Sequence, residues 1–155
     1  MPDTTATTVG CTCFALRKLT RTVSRLYDLH LVAAGMKTTQ YSLLRSIARE
    51  ALPVAGLAAR LATERTTLTR NLKPLIDAGW VVLMPGADSR QRIVTITAAG
   101  QEAVKSARQA WRSAQTELET ALGTAAVRDL HRQLDAALGQ LTPLLERSAH
   151  HASED

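Results

Sequence analysis

Residues 57–100 read LAARLATERTTLTRNLKPLIDAGWVVLMPGADSRQRIVTITAAG, and this stretch decides the fold. Its first half has apolar side chains at steps of three and four, which predicts two short helices separated by a turn at residues 62–64. Its second half has two β-rich runs, 80–84 and 92–96, on either side of a polar and basic tip, which predicts a hairpin. The order helix, turn, helix, hairpin is typical of a winged helix-turn-helix.

Helical patterns flank this stretch on both sides. Apolar periodicity predicts helices over about 14–34, where Gly35 is a natural stop, and over about 40–49. Beyond the hairpin, Thr97-Ala98-Ala99-Gly100 starts a long helix, and Gly123 separates it from a last one. The predicted fold class is therefore mostly α with a small β-hairpin: a winged helix-turn-helix domain plus a helical dimerisation domain.

The same patterns give four predicted segments. We expect a flexible arm at 1–10, a helical dimerisation region at 11–37 and 98–147, the winged domain at 38–97 and a flexible tail at 148–155. The apolar stripes of the flanking helices are too long for a small winged domain to cover. A homodimer is the economical way to bury them, although an intrachain bundle is the alternative. The interface candidates are Trp111, Leu130, Leu134, Leu138 and Leu141.

The composition favours an anionic partner but does not identify it, because many basic surfaces are merely solvated. The chain has 155 residues, a net charge of +5 and a pI of about 9.8. The excess of Lys and Arg lies in residues 1–97, and residues 98–155 are slightly acidic. No apolar run is long enough to span a bilayer, and the first residues lack a secretory signal, so we expect a cytoplasmic protein.

The predicted recognition helix, Thr63–Leu75, combines an apolar face with hydroxyl, amide and cationic side chains. Threonine suits close approach to base edges and the thymine methyl group, and Arg or Lys suits guanine or phosphate. A basic helix face on its own is more often a solvated surface, so the hairpin that follows is what favours DNA. The predicted DNA-binding residues are Thr63, Arg65, Thr66, Thr67, Thr69, Arg70 and Lys73, with Thr66, Thr67 and Arg70 the first candidates for base contacts.

The predicted wing, Gly86–Arg92, adds a second basic element. Asp88, Arg90 and Arg92 lie two residues apart, so on a strand all three side chains project to one side. We expect Asp88 to pair with one arginine and brace the loop, leaving Arg90 or Arg92 for the minor groove, Arg90 above all.

Motifs for catalysis are absent from the sequence. It has no Gly-rich phosphate loop, no nucleophile elbow and no metal-ligand cluster, so we expect neither an enzyme nor a cofactor. A protein-protein interaction module without DNA readout is the alternative function, because winged folds also serve in assembly.

The chain resembles the MarR (multiple-antibiotic-resistance regulator) family of bacterial winged-helix transcription factors. The resemblance covers about Phe14–Leu145, and its most specific motifs are Leu68-Thr69-Arg70, Asp88-Ser89-Arg90-Gln91-Arg92 and Ile96-Thr97-Ala98-Ala99-Gly100. It implies an obligate homodimer that binds a pseudo-palindromic operator in double-stranded DNA. It also implies a repressor that is released by a small molecule or an oxidant.

Cysteines open the first helix. Cys11 and Cys13 precede Arg17 and Lys18 at a helix N-terminus, which favours a reactive thiolate, although both are equally read as inert small side chains. The run Cys13-Phe14-Ala15-Leu16 is similar to the organic-hydroperoxide-sensing branch of the family, whose reactive cysteine lies at the Cys13 position. Tyr27 matches one of the tyrosines that contact this cysteine, and Arg17 replaces the other. Cys11 is then a candidate resolving partner, with a disulfide to the other subunit as an equal alternative, because two cysteines so close in one chain give poor disulfide geometry.

Two further triggers remain open. A thiolate metal sensor would use Cys11, Cys13 and His30 with help from a partner chain, since His30 is several helical turns away. A small aromatic or phenolic effector would bind between the dimer helices and the winged domain, with Arg17, Arg21 or Arg25 pairing its carboxylate. Solvated charge is the alternative for each of these arginines.

Overall fold

A computed structural model describes residues 10–88 and 90–151. Six α-helices and three short strands form the described chain, which confirms the predicted fold class. The elements are α1 (Thr12–Leu31), α2 (Thr38–Ile47), β1 (Leu52–Pro53), α3 (Val54–Arg60), α4 (Arg65–Asp77), β2 (Val81–Pro85), β3 (Arg92–Ile96), α5 (Ala98–Leu122) and α6 (Thr124–His151).

The chain divides into two compact units, Met1–Ala114 and Gln115–Asp155. The boundary falls inside α5, so the first unit holds all three strands and the first two thirds of that helix. The second unit consists of the end of α5 and of α6. Residues 1–9 of the predicted arm, Ser89 of the wing and residues 152–155 of the predicted tail lie outside the described residues.

An antiparallel sheet with the order β1-β3-β2 forms the wing. The hairpin strands pair from Val81 opposite Ile96 to Pro85 opposite Arg92. The third strand was not predicted: Leu52 pairs with Val94, and Pro53 with Ile93. The sequence alone predicts Pro53 only as a separator between two helices. Its missing N–H is tolerated because β1 is an edge strand.

The core of the first unit is aliphatic. Its fully buried side chains come from α1, α2, α3, α4 and the two hairpin strands, and the predicted inward residues Leu43, Leu44 and Ile47 of α2 are among the buried ones. With so few aromatic residues in the sequence, close packing of branched aliphatic chains supplies most of the burial. The largest fully buried side chains are Leu31, Leu44, Ile47, Leu57, Leu68, Leu72, Leu75, Val81 and Val94.

Thr97 fixes the start of α5 on the corner between α4 and β2. Its hydroxyl donates to the carbonyl of Gly79 at 2.7 Å and accepts from the backbone N–H of Gly100 at 3.0 Å. Its own N–H donates to the carbonyl of Trp80 at 3.0 Å. The second bond is the N-cap contact of the helix. A Cβ built on Gly100 would lie 2.2 Å from the Trp80 carbonyl oxygen, so this approach requires glycine.

Asp28 joins α1 to the start of α2. Its Oδ1 accepts hydrogen bonds from both the backbone N–H and the hydroxyl of Thr38, each at 2.7 Å. Between the two helices the chain makes a 3₁₀ turn over Val32–Ala34 and reverses at Gly35, whose φ of 65° lies in the left-handed region. This geometry suits glycine and confirms the predicted stop.

Two helix boundaries in the structure differ from the predicted ones. α4 begins at Arg65 rather than at Thr63, because Thr63 donates its N–H to Ala58 in the turn after α3. α6 continues to His151, four residues into the predicted tail, since neither Gly nor Pro follows Pro143 to stop it. No described helix combines the length and apolar character that a membrane crossing needs.

Candidate nucleic-acid interface

The outward face of α4 is polar and basic. Leu68, Leu72 and Leu75 are buried, with at most 2% of each side chain exposed, and they hold the helix on the core. At 3.6 residues per turn, Thr66 and Arg70 lie opposite these leucines and are exposed. Two of the three residues predicted to contact bases, Thr66 and Arg70, therefore point away from the core. Thr67 is also exposed but lies on one flank.

Hydrogen bonds distinguish the polar side chains of α4. The hydroxyl of Thr69 donates to the backbone carbonyl of Arg65 at 2.9 Å, so its proton is already engaged. Lys73 pairs with Asp77 at 2.8 Å. In the part of the chain that the structure describes, the side chains of Thr66, Thr67 and Arg70 make no such contact, and they are the groups that remain available to a ligand.

Thr63 stands apart from the other predicted contacts. It is half-buried and lines a hollow of about 290 Å³ with side chains of α1, α2 and α4. Its assignment to the recognition helix is wrong, because the turn between α3 and α4 ends only at Glu64. The structure therefore places Thr63 in the turn before α4, facing residues of α1 and α2, and not on the outward face of α4.

The wing tip is a loop rather than an extended strand. Strand β3 starts at Arg92, so Asp88 and Arg90 lie in the loop, and the prediction that all three share one strand face is wrong. The carboxylate of Asp88 accepts from the backbone N–H of Arg90 at 3.0 Å, and its carbonyl accepts from the N–H of Gln91 at 2.9 Å. Asp88 thus braces the loop through backbone amides. The bond from its side chain to the amide two residues on is an Asx turn, a conformation that bends the backbone and so prevents an extended strand here.

The wing and α4 meet around one hollow. Arg65 from the first turn of α4 lines it together with Asp88, Arg90 and Arg92, in a volume of about 220 Å³. Three guanidinium groups and one carboxylate surround this space, which favours an anion such as a backbone phosphate. Pro53, Val54 and Ala55 also line this hollow, and they were not predicted because apolar residues carry no signal of a polar site.

Comparisons with known proteins identify the family to which this architecture belongs. The MarR family profile matches residues 34–91. The transcriptional regulator MosR from M. tuberculosis, solved in complex with DNA, is 36% identical to this chain, with coverage of 83% of this chain and 97% of MosR and a TM-score of 0.73. The chain belongs to the MarR family.

More distant MarR-like structures show the same fold. A mutant of E. coli MarR in complex with operator DNA is 24% identical, with 80% of this chain and 91% of that chain covered and a TM-score of 0.72. CouR from Rhodococcus jostii RHA1, bound to p-coumaroyl-CoA, is 18% identical, with 83% and 91% covered and a TM-score of 0.70. A comparison with curated proteins finds no match. The family and these neighbours are transcription regulators, as expected, and not enzymes.

The predicted redox residues of this MarR-family chain do not meet within one protomer. Cys11 is the N-cap of α1, Cys13 lies in its first turn, and both are exposed. Tyr27 is buried near the other end of the same helix, and fourteen residues of helical rise separate it from Cys13 by about 21 Å. Arg17 is exposed, one turn after Cys13. A Cys13–Tyr27 contact therefore requires a second copy of the chain.

Two further sets of predicted residues can be placed in the structure: the metal-binding candidates Cys11, Cys13 and His30, and the interface candidate Trp111. Across residues 10–88 and 90–151 no group of three or more His, Cys, Asp or Glu side chains is arranged to hold a metal ion, so Cys11, Cys13 and His30 form no site within one protomer. Trp111, predicted at the dimer interface, is half-buried and stacks on Tyr41 with a centroid distance of 6.1 Å. Periodicity identified Trp111 as apolar but carried no signal for its partner.

Proposed function

We propose that this MarR-family regulator is a homodimeric repressor that reads operator DNA with α4 in the major groove and the 86–91 loop at the minor groove. The observation that carries the proposal is the common basic surface of Arg65, Arg90 and Arg92, which joins the first turn of α4 to the wing. A helix and a wing that share one cationic surface suit adjacent grooves of one duplex. Chromosomal DNA as partner implies a cytoplasmic location.

Roles in DNA contact follow from the side chains that are available. Arg70, at the centre of the outward face, is the proposed base-reading cation, and Thr66 and Thr67 are the proposed contacts to base edges or thymine methyl groups. Arg65 and Lys73, at the margins of that face, and Arg92, at the start of β3, are assigned to phosphates, because charge suffices there. Lys73 would exchange its exposed pairing with Asp77 for the phosphate. Thr69 contributes an acceptor oxygen. Arg90 is the proposed minor-groove residue.

Exposed apolar side chains support the homodimer. In the first unit, the start of α1 leaves Phe14 64% exposed and Leu16 43% exposed. In the second unit, α6 exposes Leu138 and Leu141 to 53% and 54%. Apolar rows of this length are normal at an interface and costly in water.

The trigger for release from DNA is proposed in two forms. Oxidation is favoured by the exposure of Cys11 and Cys13 at the start of α1, where a reagent reaches both thiols. A small organic effector is favoured by the p-coumaroyl-CoA bound in CouR, a distant structural neighbour.

The test is DNA binding by anisotropy at several salt concentrations, with a fluorescent fragment from upstream of the protein's own gene. Each phosphate contact contributes about 0.9 to the slope of log K against log salt, so a substitution that removes one contact per half-site lowers the slope of a dimer by about 1.8. We expect this loss for Arg90→Ala. Arg70→Ala should in addition reduce the preference for this fragment over a scrambled one by about 1–3 kcal/mol per half-site.

Arg25→Ala is the matched control, because it removes an exposed arginine from α1, outside the proposed interface. It should leave both affinity and salt slope within error of the wild type. Unchanged binding by Arg70→Ala and Arg90→Ala together would refute this docking mode. It would favour the alternative of a protein-protein interaction module.

A further inference from the structure

The outer edge of β2 is apolar and unpaired. The strand order β1-β3-β2 leaves β2 at one edge of the sheet, and no other described strand pairs with that side of it. Val82, Leu83 and Met84 carry no charge, and each of them is at least 40% exposed. Proteins usually protect an edge strand with charged side chains, because its free N–H and C=O groups can pair with another chain. This stretch of edge has no such charge.

The hydrogen-bond pattern of the hairpin shows which backbone groups reach this edge. Thr97 donates its N–H to the carbonyl of Trp80, so these two residues form a hydrogen-bonded pair. Such pairs alternate along an antiparallel ladder, and Val82 and Met84 therefore direct their N–H and C=O groups at β3. Leu83 lies between them and directs both of its groups at the outer edge.

A second copy of β2 complements this edge in the antiparallel orientation. When Leu83 faces Leu83 of another copy across a two-fold axis, each donates its N–H to the carbonyl of the other. Pro85 has no N–H, and this register sets it opposite Val81, whose N–H the Pro85 carbonyl can accept. The proline therefore removes one bond at each end of the ladder but leaves the centre intact.

The side chains match in the same register. Directly opposite residues of two strands share a face, so Val82 and Met84 lie on one face of the sheet with the half-buried Ile93. Val81 and Val94 are buried on the opposite face. Across the two-fold axis, Val82 faces Met84 of the other copy, and Met84 faces its Val82. The exposed apolar side chains of the two copies would thereby cover each other.

Charge favours this antiparallel arrangement over a parallel one. Arg90 and Arg92 make the wing tip basic, so tips that lie side by side would repel each other. In the antiparallel register, each Pro85 lies two residues beyond the axis, and the two tips start about 14 Å apart at the rise of a strand. Salt screens most of the repulsion beyond about 8–10 Å. The pairing therefore leaves both basic tips free for DNA.

We propose that the outer edge of β2 is a contact between copies of this regulator, in which the β2 strands of two neighbouring dimers pair antiparallel about Leu83. The contact is smaller than the interfaces of stable complexes, so it is weak in free solution. Two dimers on one duplex have a high effective concentration, and the contact then produces cooperative binding to adjacent operators. The pairing is independent of DNA, whereas its effect on operators rests on the proposed function.

Cysteine cross-linking without DNA tests the register. Val82→Cys and Met84→Cys are each made together with Cys11→Ser and Cys13→Ser, so that every chain has one thiol. In the proposed register, Val82 of one copy faces Met84 of the other with Cα atoms about 4.5 Å apart, which suits a disulfide. Identical residues lie about 8 Å apart on a diagonal, which is too far. After mild oxidation, an equal mixture should contain at least about threefold more cross-linked chain than either variant alone at the same total concentration.

Two leucine substitutions distinguish this edge from other apolar surfaces. Leu83→Lys sets two cations opposite each other at the axis and should reduce the cross-link in the mixture to the level of a single variant. Leu29→Lys, the same change at an exposed leucine of α1, should leave the cross-link unchanged. Circular dichroism checks that both variants fold. Equal cross-linking in the mixture and in the single variants would overturn the proposal, whether or not Leu83→Lys folds. An equal loss in Leu29→Lys would also overturn it.

A fragment with two adjacent operators, made at several spacings, tests the functional consequence. The wild type should bind it with a Hill coefficient above 1 at one spacing or more. Leu83→Pro removes the central N–H without adding charge, which an edge strand tolerates, and it should bind the two operators independently with unchanged affinity for a single operator. Independent binding by the wild type at every spacing would overturn the cooperative role. Absence of binding to a single operator would instead refute the proposed function, and cross-linking alone would then decide the pairing.

Discussion

Gly100→Ala should destabilise the protein although it places alanine in a helix. The new Cβ would lie 2.2 Å from the Trp80 carbonyl oxygen and 2.7 Å from Cγ1 of Ile96. The carbonyl is held by its hydrogen bond from Thr97, so the start of α5 has to move by about 1 Å to restore normal van der Waals separation. Overpacking of this kind costs about 1–3 kcal/mol.

Two smaller effects accompany this movement and nearly cancel. The N-cap bond from Gly100 to Thr97 is weakened, which costs about 1 kcal/mol. Replacing glycine by alanine inside a helix returns about 1 kcal/mol. The expected net loss is therefore about 1–3 kcal/mol in the free energy of unfolding, equivalent to a decrease in Tm of about 2–10 °C for a chain of this size.

Urea denaturation followed by circular dichroism measures this loss, at one fixed protein concentration because a dimer's stability depends on it. Gly56→Ala is the matched control in the same compact unit. Its Cβ would meet only Pro53 Cδ, at an ordinary 3.6 Å, so we expect a stabilisation of about 0.5–1 kcal/mol. Equal stabilisation by both substitutions would show that α5 is free to move away from the α4–β2 corner and would refute the reasoning.

Three further predictions concern other parts of the chain. Asp28→Ala should lower unfolding free energy by about 1–2 kcal/mol by removing both hydrogen bonds to Thr38, whereas Asp28→Asn keeps an acceptor oxygen and should lose less than half of that in the same urea assay. Leu138→Glu combined with Leu141→Glu should shift the protein to a monomer in analytical ultracentrifugation, and a persistent dimer would exclude this row of α6 from the interface. For the oxidation trigger, organic hydroperoxide should abolish operator binding by the wild type but not by Cys13→Ser, and full DNA binding by the oxidised wild type would leave the organic effector as the trigger.

The helices and the hairpin were predictable because each depends on local pattern. The rows of apolar residues in α2, α4 and α5 point to the core as their periodicity requires, with Val104, Ala107 and Ala114 buried on α5. The turn glycines are equally local, since Gly35 and Gly79 take left-handed φ values of 65° and 72°. Patterns of this kind require no knowledge of distant contacts.

Features that depend on distant contacts were not predictable. Strand β1 has two residues and contains Pro53, so it has no period of its own and exists only through pairing with β3. The Asp88 brace was expected to reach an arginine side chain, but the nearer backbone amide of Arg90 competes successfully for the carboxylate. The stacking of Trp111 on Tyr41 joins α5 to α2, two helices that are more than fifty residues apart in the sequence. Neither helix shows it alone.

Thr97 has a consequence for the length of operator that a dimer accepts. Thr97 bonds the corner between α4 and β2 to the first turn of α5, so a rotation of one against the other would break these hydrogen bonds. In the proposed dimer, the distance between recognition helices is therefore set by the number of residues that separate Thr97 from the contacts between protomers. Inserting one residue into α5 would turn everything beyond it by about 100°. In that dimer, the spacing of operator half-sites would follow from the length of α5, a helix with no proposed DNA contact.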